Sequence, residues 1–229
     1  MCWIVSAVFD SLTKMAVTNS LYVIAAICGN FWRESTVNPG IWESLTVGAP
    51  GYGLGQWTDL PQYGLTRRTQ LFNWLTANSY TQDSGVGQLE YLVYEDYWTP
   101  NQQWHTSAYP TMSDFFASTS TSVSDLTEEW MWHWEGINDS SLSIRVNAAN
   151  DFLALFQNDP GTRDAWRASN AYLSMNQAKQ NALLIMDWFL GSTPPPPGPG
   201  PGPSPSDAPD FIKLLMALRK RRKGGWHVI

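Results

Sequence analysis

Glu34 is the residue in this chain whose neighbours best equip it to move a proton. It closes an apolar helical run, ICGNFWRE, and the chain then breaks into the loop Ser35-Thr36-Val37-Asn38-Pro39-Gly40. Glu34 lies three residues after Phe31 and seven after Ile27. At 3.6 residues per turn it falls on the buried stripe of that helix, at the C-terminal end. Partial desolvation and the negative end of the helix dipole both favour the protonated carboxyl. A general acid that cleaves a glycosidic bond needs that environment. The alternative is a structural Glu, capped by a buried Arg or by backbone amides.

Seventeen residues further on begins Gly51-Tyr52-Gly53-Leu54-Gly55-Gln56-Trp57-Thr58-Asp59. Its glycines, Gly53 among them, let a backbone approach a ligand closely. Gln56, Trp57 and Tyr52 supply hydrogen bonds and a stacking platform for flat sugar rings. Other chemistries find less support. A cysteine peptidase would use Cys28 with His105, His133 or His227, but Cys28 sits in an apolar stripe and reads as packing. There is no His-Glu-x-x-His and no Cys/His cluster, so no metal and no cofactor is expected.

Helices and one hairpin must position these groups. Apolar residues at 24, 27, 28 and 31 mark a helix over 20–34. Asn38-Pro39-Gly40 is a turn signal, and 49–59 suits a short hairpin. Further helices are expected over 67–78 and 84–98, the latter with Leu89, Leu92 and Val93 on one face. Others follow from Ser113, from a serine cap at Ser124 into EEWMWHWEG, over 141–156, and over about 174–190 up to Gly191. Residues 191–206 form a Pro/Gly linker. Beyond it, Phe211, Leu214, Leu215 and Leu218 share one helical face before Arg219-Lys220-Arg221-Arg222-Lys223.

The composition fits this division. The chain has 229 residues, 43% of them hydrophobic, with thirteen Trp and a formal charge of −6. Residues 207–229 carry +4 and the remainder −10, so an acidic body bears a basic tail. Two cysteines build no disulfide framework. The apolar N-terminus reads poorly as a signal peptide, and no run of about 18 apolar residues predicts a membrane span. The tryptophans divide between a core and surfaces that grip sugar or protein.

Three stretches together resemble the phage tail lysozyme domain. They are Ile27-Cys28-Gly29-Asn30, Glu34-Ser35-Thr36-Val37-Asn38-Pro39-Gly40-Ile41-Trp42, and Gly51-Tyr52-Gly53-Leu54-Gly55-Gln56-Trp57-Thr58. Trp134-Glu135, Arg145 and the helix to Phe156 continue the likeness over about 10–157. Glu135-Gly136-Ile137 stands where the family has Glu-Arg-Pro, so Glu135 reads as structural, paired with Arg145.

The resemblance implies a mainly α (α+β), lysozyme-like fold over 1–190, with 158–190 as an added helical segment. A helical lobe and a small β-hairpin lobe would flank a cleft. It implies hydrolysis of the β-1,4 link between N-acetylmuramic acid and N-acetylglucosamine, with Glu34 as the acid and Tyr52, Gly53, Gln56 and Trp57 on the substrate. Asp59, or else Glu43, would be the second carboxylate. One essential Glu also suffices in this superfamily, which keeps lytic transglycosylase chemistry open.

A virion-associated enzyme acting in the host wall or periplasm at entry follows, with an end-of-infection endolysin as the alternative. A non-catalytic virion or wall-binding protein that keeps the fold is a third reading. Expected partners are peptidoglycan glycan strands and, through the tail Phe211–Lys223, other virion proteins or an anionic membrane. Nucleic acid ranks last as a tail partner.

Overall fold

The computed structural model describes residues 17–18, 20–158 and 175–191. The N-terminus before residue 17, residues 159–174, the Pro/Gly linker after Gly191 and the basic tail lie outside them.

The first helix among the described residues, α1, spans Leu21–Ser35. Ser20 caps it by accepting from the Val23 N–H. Val23 to Phe31 is buried without interruption, because other elements cover α1 on most of its circumference. A 3₁₀ turn at Glu43–Leu45 leads to β1 (Gly51–Tyr52) and β2 (Trp57–Leu60), and a second at Pro61–Tyr63 to β3 (Leu65–Thr66). The three strands form one antiparallel sheet in the order β1-β2-β3, with Tyr52 opposite Trp57 and Asp59 opposite Thr66.

Among the described residues six helices follow: α2 (Arg67–Ala77), α3 (Gly85–Glu95), α4 (Met112–Phe116), α5 (Val123–His133), α6 (Leu142–Gln157) and α7 (Gln177–Phe189). The protein is therefore mainly helical with one small antiparallel sheet, the expected fold class. α1 packs on α5, α6 and α7, and α2 packs on β2 and α3. Among the described residues, no helix is long and apolar enough to cross a membrane.

Several boundaries move for local reasons. Helix α4 is capped by Thr111, not Ser113, through a reciprocal box with Asp114. Helix α5 is capped by Ser122, two residues before the expected serine. Helix α3 stops at Glu95 because Asp96 turns left-handed. Its buried face is Gln88, Leu89, Tyr91 and Leu92, which leaves Val93 exposed.

Aromatic rings fill the space between helices and hairpin. Trp130 and Trp134 stack at 5.0 Å, and Trp57 meets Trp134 edge-on at 5.5 Å. Phe31 closes the group against Trp134 at 6.1 Å. Two short paired strands cannot bury a core alone, so the hairpin is held by this wedge.

The crossing of α1 and α6 depends on Gly29. A Cβ there would lie 2.5 Å from the Arg145 carbonyl oxygen and 2.6 Å from Ala149 Cβ. Gly29→Ala must push the helices apart, at a cost of about 1–3 kcal/mol. Urea unfolding of this variant against wild type checks it, with a lower midpoint as the expected result.

Candidate active site

Glu34 sits in the last turn of α1 with 2% of its surface exposed. An isolated buried carboxylate is costly. Here Arg145 Nη2 meets Glu34 Oε1 at 2.5 Å. Arg145 lies near the start of α6 and is itself 1% exposed. Its other nitrogens are engaged too. Nη1 donates to Asn30 Oδ1 at 2.8 Å, and Nε donates to Ser141 Oγ at 3.1 Å. Asn30 is fixed in turn by Nδ2 bonds to the carbonyls of Ala26 (2.9 Å) and Thr127 (3.1 Å). Residues of α1, α5 and α6 thus meet in one polar network.

Glu135 follows the C-terminal cap of α5, and its Oε1 stands 3.9 Å from Arg145 Nη1. Two carboxylates therefore share one guanidinium. Beyond Glu135 the charges continue to alternate. Arg67 packs over the Trp134 ring at 4.7 Å and pairs with Glu95 through bonds of 2.7 and 2.8 Å. Both readings of Glu34 meet here: it lies on the inward stripe, and a buried Arg holds it. Burial penalises the charged carboxylate and the guanidinium favours it, so the proton's position depends on how Arg145 is shared.

The loop after Glu34 is strained. Thr36 and Val37 have φ of 56° and 58°, a left-handed region that β-branched residues rarely adopt. Val37 is buried, its N–H bonds the Phe31 carbonyl, and its own carbonyl accepts from Asn181 Nδ2 of α7 at 2.7 Å. Helix α7 therefore braces the loop that follows Glu34.

The hairpin residues Tyr52, Gln56 and Trp57 are buried in this structure. Trp57 is fully buried, and its Nε1 donates to Glu95 Oε2 at 3.0 Å. Tyr52 packs between Trp42 (4.7 Å) and Phe72 (5.0 Å). Burial, with some help from the Asp83 charge, pushes its hydroxyl pKa up. Gln56 is buried, and its Nε2 donates to the carbonyls of Ile41 and Gly53. Gly53 makes the turn at φ 79° and donates to the Ile41 carbonyl. These four residues build the hairpin and its seat, and none of the rings offers a free face in this conformation.

The second-carboxylate candidates are also occupied. Asp59 accepts from the Thr69 N–H (3.0 Å), the Thr69 hydroxyl (2.6 Å) and Arg68 Nη2 (3.0 Å). It locks the first turn of α2 to the sheet. Glu43 Oε2 accepts from the Gly51 N–H at 3.0 Å, anchoring β1. Cys28 is wholly buried, and burial pushes its thiol pKa up, which disarms it as a nucleophile. A groove of about 410 Å³ between Val17–Tyr22 and Phe116–Thr121 lies at the opposite end of α1 from Glu34.

Arg145 as the partner of Glu34 escaped the sequence reading. Its signal was present: Arg145, Ala148, Ala149, Phe152 and Phe156 form one buried helical stripe. A lone cation on that stripe answers the lone acid on α1. Arg67 and Glu95 carry no comparable signal, since each lies at the end of an ordinary amphipathic helix.

The family described as phage tail lysozyme matches residues 5–156 of this chain. Morphogenesis protein 1 of Bacillus phage B103 is 35% identical over 98 residues, which is 42% of this chain and 24% of that protein. The aligned part is thus about a quarter of that relative's length.

Asp59 generates a test by pH. Burial raises its pKa, but the Thr69 bonds and the Arg68 charge outweigh burial and hold it below the ordinary carboxyl value. A depressed pKa adds stability that is complete above the unfolded pKa of about 4 and is lost as pH falls through the folded value. Asp59→Asn should therefore cost about 1–2 kcal/mol at neutral pH. The deficit should shrink below about pH 4, as measured by urea unfolding at both pH values.

Proposed function

Because the chain belongs to the phage tail lysozyme family, we propose that it cleaves the β-1,4 bond between N-acetylmuramic acid and N-acetylglucosamine in peptidoglycan, with Glu34 as general acid. The observation that carries this reading is the buried Glu34 carboxylate at the end of α1, held by Arg145 beside the strained loop. Protonated Glu34 gives its proton to the glycosidic oxygen as the C1–O bond breaks. Water then attacks C1 and returns a proton to Glu34. Arg145 orients the carboxyl and favours the anion left after proton transfer. Glu135 draws on the same guanidinium and moderates that pull.

The state of the other carboxylates favours a reaction with one essential acid. Asp59 and Glu43 are committed to the fold. The substrate's acetamido group or a held water then completes the reaction. An attack by the sugar's own hydroxyl would give an anhydro end instead, the lytic transglycosylase outcome.

We further propose that the protein travels in a virion and opens the wall at entry. The name of the B103 relative, a morphogenesis protein, supports this use. Lysis at the end of infection is the alternative. Attachment of Phe211–Lys223 to virion proteins or an anionic membrane belongs to the same proposal.

Purified peptidoglycan incubated with wild type and with Glu34→Gln, and read by mass spectrometry, tests the central step. New reducing ends from wild type are expected, with release at least about 100-fold lower in the variant. Anhydro ends would change the reaction class. Wall binding without fragments from wild type would mean a binding protein.

A further inference from the structure

His105, Glu129 and His133 offer three ligand atoms that all lie within 4.8 Å of one another. His105 Nδ1 stands 3.0 Å from His133 Nε2, and His133 Nε2 stands 3.5 Å from Glu129 Oε2. Two atoms each bound to zinc at 2.0–2.2 Å, at the tetrahedral angle, stand about 3.3 Å apart. The two separations to His133 Nε2 bracket that value, and His105 and Glu129 lie within 4.8 Å of each other, so a zinc ion would draw that last pair together.

The surroundings orient the three side chains toward a common point. Glu129 and His133 are four residues apart on α5 and share one face. His133 Nδ1 lies 2.6 Å from the Thr99 carbonyl oxygen. A carbonyl only accepts, so Nδ1 carries a proton, and in the neutral ring Nε2 presents its lone pair to the cluster. Metal-bound histidines are fixed in this way by their other nitrogen. Glu129 is held by the Ser107 hydroxyl at 2.5 Å and the Ala108 N–H at 3.1 Å. The His105 ring rests on Trp132 at 4.2 Å, and its backbone is tied to Gln102 in a bridged turn.

Electrostatics also call for a cation. His133 is fully buried and Glu129 nearly so. A lone pair and a carboxylate oxygen face each other there at 3.5 Å, which is repulsive unless positive charge lies between them. A proton on His133 Nε2 is one source and a metal ion is another. Two imidazoles and one carboxylate suit zinc in particular. His105 is only half-buried, which gives an ion a way in and leaves a fourth position for water.

We propose that His105, Glu129 and His133 bind one zinc ion, which clamps the loop from Thr99 to Ala108 onto α5. It steadies α5, whose C-terminal end leads into Trp134 and Glu135 beside Arg145. The proposal does not rest on the activity of Glu34.

The test uses the full-length protein, stripped with a chelator, dialysed and titrated with zinc chloride against a chromogenic competitor. One zinc per chain is expected. His105→Ala should weaken binding by about 10–100-fold with an unchanged far-ultraviolet circular dichroism spectrum. His227→Ala, in the tail, should bind as wild type does. Cobalt(II) titration of wild type guards against misfolding of the His105 variant. Strong visible absorption of a four-coordinate ion, abolished by one equivalent of zinc, is expected. Absence of stoichiometric zinc binding or of the cobalt band, equal affinity in folded His105→Ala, or loss of binding in His227→Ala would each overturn the proposal.

Discussion

The ion pair between Glu34 and Arg145 constrains much of this fold. Both groups are almost wholly buried, and their contact is 2.5 Å. A buried pair barely offsets its own desolvation, so it must be surrounded by further hydrogen bonds. Asn30, Ser141 and the backbone of Thr127 meet that need. Each of these attachments fixes a helix: Asn30 fixes α1, Thr127 fixes α5, and Ser141 fixes the start of α6. Gly29 then follows from geometry, because α6 can bring Arg145 to Glu34 only where α1 lacks a side chain.

A second constraint comes from the hairpin. Its strands are too short to stand alone, so it borrows the helical lobe's interior. Trp57 enters between Trp134 and Tyr91 and is fastened to Glu95 by its indole nitrogen. Arg67 holds the same carboxylate and covers Trp134. Gln88 closes the other end, accepting from the Leu54 N–H and donating to the Pro39 carbonyl. The loop after Glu34 and the hairpin are thereby tied to one helix, α3. Trp57, Trp130 and Trp134 serve this junction, while Trp32, Trp42 and Trp132 remain partly exposed.

What could be read in advance was local. The stripe at 24, 27, 28 and 31 announces α1, and it also shows Glu34 pointing inward. The glycine-rich hairpin is legible because closely spaced glycines bar a helix there. That Tyr52 and Trp57 face the core was not legible, since aromatic type does not reveal which side of a short strand is buried. Asp59 followed the hairpin, as a second carboxylate would, but Thr69 and Arg68 lie ten and nine residues away and claim it. Arg145 lies 111 residues from Glu34, and His105 lies 28 from His133. Pairings across such distances depend on how helices cross, which periodicity alone does not specify. The basic tail, legible only as a pattern, lies outside the described residues.

A double-mutant cycle on the buried pair probes its role most directly. Urea unfolding of wild type, Glu34→Gln, Arg145→Met and the double variant gives the four stabilities. Each single change should cost about 3 kcal/mol or more by stranding a buried polar partner. The double variant should recover at least about 1 kcal/mol of the sum. Costs that add to within about 0.5 kcal/mol would contradict a pair that organises the site.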